Sequence, residues 1–118
     1  MRLTIRGPKT LRDAVELRAH VERRSSFALG RFADELIDVA VVLEDLNGPR
    51  DGGDKRCLVQ LHGPVVRDVV AEGTDVAWGP AIDRALSLAG RSVARALDRA
   101  RREFARRRGG AGFTGEVA

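Results

Sequence analysis

Hydrophobic and polar residues alternate with a period of two in several short stretches of the chain, the signature of half-buried strands. Leu3 and Ile5 alternate with Arg2, Thr4 and Arg6, and Gly7-Pro8 closes the stretch. From about Leu36 to Asp45 the same period returns, with Ile37, Val39, Val41 and Leu43 on one face. Asn47 to Asp54 is a run of turn residues. Arg56 to His62 then puts Cys57, Val59 and Leu61 on one side, and after the Gly63-Pro64 turn Val65 to Glu72 reads as a fourth strand. Gly73-Thr74-Asp75 breaks it.

Two stretches follow the helical period instead. The first runs from about Leu11 into the high twenties, with Thr10 as its expected cap and Asp13 as the acidic residue that accompanies such a cap. Leu11, Ala14, Val15 and Val21 form a lean apolar stripe, and Phe27-Ala28-Leu29-Gly30 reads as the end. The second is longer, from Val76 or Pro80 to about Arg106, because proline is comfortable only in a helix's first turn. The glycine-rich residues 109–118 lack apolar periodicity and are expected to form a flexible C-terminal tail.

The order strand, helix, three strands, helix predicts an α+β fold. It is a two-layer sandwich in which a four-stranded sheet carries two helices on one face and leaves the other open, like a double-stranded-RNA-binding domain. Residues 1–108 are expected to be a single domain.

Charge adds what periodicity cannot. The chain holds 21 basic and 17 acidic residues, a formal net charge of +4, so distribution matters more than total. Only Lys9 and Lys55 are lysines; the other basic residues are arginines, whose flat fork of donors suits phosphate oxygens. With about 100° per residue and Arg84 at zero, Arg91, Arg95, Arg99, Arg102 and Arg106 all fall within roughly 60° of it. Ile82, Leu86, Ala89, Val93, Leu97, Ala100 and Phe104 cluster on the opposite side. From Arg84 to Arg108 there are nine arginines against Asp98 and Glu103 alone. Such a row repels itself, and a stripe made only for solubility would normally mix signs. Two readings stand: a row for a polyanion, releasing its counterions on binding, and a merely solvated helix face. Lys9, Arg12, Arg23 and Arg24 on the first helix would join the basic surface if the helices pack side by side.

The kind of nucleic acid is narrowed by what is missing. The open-sheet RNA readers stack bases on strand-borne aromatics, and no predicted strand here carries one. There is no zinc-finger spacing and no helix-turn-helix pair. Gly109-Gly110-Ala111-Gly112 fits a GxxG clamp formally, but it lies in the expected tail rather than between two helices. Recognition of RNA shape and backbone through helix surfaces remains.

The same pieces resemble the ribosome hibernation-promoting factor and ribosome-associated inhibitor family, in a short and divergent form. Met1-Arg2-Leu3-Thr4-Ile5-Arg6-Gly7 looks like that family's opening strand, and Val39-Ala40-Val41-Val42-Leu43 like its second. Asp75-Val76-Ala77-Trp78-Gly79-Pro80-Ala81-Ile82-Asp83 is similar to the stretch in which an Asp and an aromatic precede Ala-Ile-Asp at the second helix start. Arg91 and Arg95 fall where the family carries basic residues. Trp78 stands where tyrosine is usual, and Leu88 where lysine is common. The resemblance implies a protein seated in the cleft of the small ribosomal subunit near the decoding centre. There it would contact 16S rRNA through basic helix surfaces and occupy the path of mRNA and tRNA. It also implies a monomer off the ribosome. Two alternatives stay open: a generic binder of structured RNA, and a regulatory protein with an acidic protein partner.

Catalysis finds no support among the candidate residues. His20 and His62 have no neighbouring nucleophile or carboxylate in sequence that compels a role. Cys57 alternates with Val59 and Leu61 and reads as a small core residue. Glu44, Asp45, Asp51 and Asp54 fit no calcium-loop spacing. No enzyme activity, cofactor, metal or small-molecule substrate is expected. With a single cysteine, a short charged start and no apolar run long enough to span a bilayer, the chain reads as a cytoplasmic protein that does not contact membrane.

Overall fold

The structure, a computed structural model, describes residues 1–46 and 54–117, with side chains described as far as Arg108. The first strand, β1 (Arg2–Arg6), pairs in parallel with β2 (Asp38–Asp45), setting Leu3 beside Val39 and Ile5 beside Val41. β3 (Lys55–His62) runs antiparallel to β2, with Val41 opposite Val59, and β4 (Val69–Asp75) antiparallel to β3, with Val59 opposite Ala71. The sheet order is β1-β2-β3-β4. The parallel β1–β2 pair requires a crossover, and the helical segment between them provides it.

One sheet face is the core. Val39, Val41, Leu43, Cys57, Val59, Leu61 and Ala71 are buried, as the period-two reading of β2 and β3 requires. Two helices cover them: α2 (Val15–Leu29), through Val21 and Leu29, and α3 (Trp78–Val117), through Ala81, Ile82, Ala85, Leu86, Ala89, Val93 and Leu97. The other face is open, with a shallow trough lined by residues that include Arg6, Ala40, Gln60 and Val70. The architecture is the expected β-α-β-β-β-α two-layer sandwich.

Several boundaries differ from the sequence reading, each for a local reason. The first helix is split. A short turn, α1 (Lys9–Arg12), starts at Pro8, whose carbonyl accepts from the amides of Leu11 and Arg12 at 3.0 Å each. Thr10 therefore lies inside the turn and does not cap it. Ala14 is extended, with ψ of 112°, so α2 restarts with a new phase. Val15 consequently points outward, 79% exposed, and Leu17 packs against the core in its place. Ser25 is buried at the helix interface, and its Oγ has no hydrogen-bond partner among the described residues.

After α2 a 3₁₀ turn, Gly30–Glu35, carries the chain to β2 and turns Leu36 into the core, leaving Ile37 49% exposed rather than on the Val39 face. β4 begins four residues later than expected, at Val69. The Gly63 amide donates to the Val66 carbonyl at 2.7 Å, and Asp68 takes a positive φ of 49°. Residues 63–68 thus form a loop that drops Val66 into the core. The predicted loop 47–53 lies outside the described residues. The backbone of α3 continues to Val117, past the expected end near Arg106 and through the segment read as a tail. Glycine lowers helix propensity there, but no proline stops the helix. The side chains of 109–117, and Ala118, lie outside the described residues.

Candidate nucleic-acid interface

The site is built by α3, and two close approaches fix how α3 sits. Gly73 on β4 lies under it: a Cβ at that position would be 2.4 Å from the Ala81 carbonyl oxygen and 2.6 Å from the Ala85 amide nitrogen. Gly90 lies beside α2, where a Cβ would come within 2.8 Å of the Ala28 carbonyl oxygen. His20 and Arg24 on α2 meet Asp83 on α3, at 2.8 Å and 3.0 Å. His20 and Arg24 level with Asp83, and Ala28 level with Gly90, mean that the two helices run parallel.

With its aliphatic side held down in this way, α3 turns its other side to solvent. Arg84, Arg91, Arg95, Arg99, Arg102 and Arg106 are all exposed. They do not all have the same freedom. Arg84 donates from Nη1 to the Thr74 carbonyl at 2.9 Å, and its Nη2 lies 3.2 Å from Oδ2 of Asp75, so it fastens the end of β4 to the helix. Arg102 pairs with Asp98 one turn earlier. Arg91, Arg95, Arg99 and Arg106 have no acidic partner among the described residues. Four guanidiniums on one rigid face can therefore meet an external anion without first breaking an internal pair.

The basic residues from the first helical segment divide differently. Arg23 is exposed on α2. Arg24 is half-buried, holds Asp83, and stacks over the Phe27 ring at 5.1 Å, so it acts as a clasp between the helices. Lys9 and Arg12 are exposed on α1, at the end where α3 begins, and are not brought alongside Arg91 to Arg106. The structure adds Arg31, which the sequence reading passed over because it follows the apparent helix end. Arg31 and Arg91 lie on opposite walls of a groove of about 360 Å³ between α2 and α3, floored by Ala28 and Gly90. Only the packing of the helices could have revealed that pair.

The candidates for other chemistry have structural places. His20 is a helix-to-helix tie. Lys55 pairs with Asp45 and lies 5.7 Å from the ring centre of Trp78, which packs on the core at the α3 start. Cys57 is buried, and desolvation pushes its thiol up to about 12. Among the described residues no group of three His, Cys, Asp or Glu side chains is arranged to hold a metal ion, and no helix is long and apolar enough to cross a membrane.

Comparison with known proteins places this arrangement. No protein-family model matches the chain, and no curated protein sequence does so significantly. Among solved structures, the N-terminal domain of Protein Y from Thermus thermophilus superposes with a TM-score of 0.61 at 27% sequence identity, over 80% of this chain and 98% of that one. The chain is similar to the Protein Y N-terminal domain. This likeness spans nearly all of the Protein Y domain, and it supports the family resemblance read from the opening strand and the start of the second helix. About a fifth of this chain has no counterpart in that domain.

Proposed function

We propose that this protein is a ribosome-associated hibernation factor that inhibits translation without catalysing a reaction. It binds 16S rRNA of the small subunit near the decoding centre and occupies the path of mRNA and tRNA. The observation that carries this reading is the exposed face of α3, where Arg91, Arg95, Arg99 and Arg106 have no acidic partner among the described residues, on a fold shared with the Protein Y domain. A rigid row of guanidiniums gives many phosphate contacts and little base readout, which suits a plug on structured RNA. Fold alone does not specify a partner; the arginines and the family resemblance together favour the ribosome over unrelated duplex RNA. Sucrose-gradient sedimentation of the tagged protein from growing and starved cells is the test. The protein should travel with small subunits, most strongly in starved cells. Migration at the top of the gradient in both states would overturn the proposal.

A further inference from the structure

The α3 helix changes character after Leu97, its last buried residue. Residues 101–108 are all exposed, including Phe104 at 62%, so the helix runs beyond the sheet and α2. From Leu97 to Arg108 this overhang is about 16 Å long. Between Asp98 and Arg108 stand six arginines and two carboxylates, a surplus of +4, equal to the formal net charge of the whole chain. The arginines no longer keep to one side. Measured from Arg99 at about 100° per residue, Arg107 lies roughly 80° away, Arg108 about 180° and Arg101 about 200°. Arg107 and Arg108 therefore continue the angular sector that Ile82, Leu86, Ala89, Val93 and Leu97 use for the core. A helix meant to rest one face on a surface would leave that sector apolar or neutral.

We infer that the overhang enters an RNA groove flanked by phosphates on both sides, with Arg101 and Arg108 contacting one wall, Arg99, Arg102 and Arg106 contacting the other, and Arg107 lying between the two groups on the side of Phe104. This rests on the RNA-binding reading above and adds a mode of binding to it. With side chains, a helix is about 10–12 Å across. The regular A-form major groove is too narrow to admit it, so the target is a groove opened by a bulge or junction. Phe104, with the Arg108 guanidinium 5.8 Å from its ring centre, supplies an apolar contact inside such a groove.

The test uses the full chain, a bulged RNA hairpin and the same hairpin fully paired, with affinity measured by fluorescence anisotropy across a salt series. One variant combines Arg101→Gln, Arg107→Gln and Arg108→Gln; a second combines Arg91→Gln and Arg95→Gln. Glutamine keeps helix propensity, and circular dichroism checks that the helix is retained. The intact protein should prefer the bulged hairpin. The triple variant should lose at least as much affinity as the double one, and its slope of log K against log salt should become shallower by about 2.7, at ~0.9 per lost phosphate contact. Equal affinity for the two hairpins, or a triple variant with unchanged affinity and slope beside a weakened double variant, overturns the groove inference and leaves the RNA reading standing. If neither variant changes binding, or the intact protein binds neither hairpin, the RNA reading falls and takes this inference with it.

Discussion

Nε2 of His20 donates to Oδ1 of Asp83 at 2.8 Å, tying the middle of α2 to the first turns of α3 across 63 residues of sequence. The same carboxylate oxygen lies 3.0 Å from Nε of Arg24. One acidic side chain therefore aligns the two helices on the sheet, and the alignment sets which way the α3 arginines face. All three groups are partly exposed, which limits what the cluster contributes. Asp83→Ala should lower unfolding free energy by about 1 kcal/mol, the scale of a partly solvated charged network. Urea denaturation measures it, and a variant as stable as the parent would show that apolar packing alone aligns the helices.

The exposed stripe should be separable from the fold. Arg91→Glu with Arg95→Glu removes two guanidiniums that have no acidic partner among the described residues from the solvent face of α3, so thermal melting should move little; such surface changes usually stay within about 0.5 kcal/mol each. Sedimentation with small subunits should be abolished, because two attractive charges become repulsive. Normal co-sedimentation of this double variant would remove the stripe from the binding surface.

Gly73 should be intolerant of any side chain. A Cβ there would press into the α3 backbone at Ala81 and Ala85, and backbone cannot swing aside as a flexible side chain can. Gly73→Ala should cost on the order of 2 kcal/mol or more, and Gly73→Val should leave little folded protein at 37 °C. A Gly73→Ala variant melting like the parent would mean that α3 sits farther from β4 than the structure has it.

Cys57 should make stability fall at high pH. Burial pushes its thiol from an ordinary 9.0 up to about 12, so the folded state holds the proton more tightly than the unfolded chain does. Below pH 9 both states keep the proton and the contribution is fully present; between pH 9 and about 12 the unfolded chain ionises first and the contribution is lost. The chain has no tyrosine to confuse that window. Urea unfolding on either side of pH 9 should show the fall in the parent, and Cys57→Ala should flatten it. An equally steep fall in Cys57→Ala would assign the effect to other groups.

The strands β2 and β3 were readable because their signal is local. Val39, Val41 and Leu43, and Cys57, Val59 and Leu61, alternate with polar residues, and one face of a sheet is all that pattern demands. The same holds for α3 as far as Leu97. The split of the first helix was not readable, because the phase of α2 depends on how the chain leaves Pro8 and passes the extended Ala14. Val15, apolar and in step with Leu11, ended outside for that reason.

The arginine row, its position on a helix and its opposition to an aliphatic side all follow from spacing along the chain, since a helix turns by the same angle at every residue. Which of those arginines are free depends on residues that spacing cannot bring near. Arg84 is engaged by Thr74 and Asp75, and Arg24 by Asp83, through contacts that exist only once the sheet and both helices have met. Phe104 shows the converse. Its period places it in the core, yet burial needs an opposing surface, and beyond Leu97 the fold provides none.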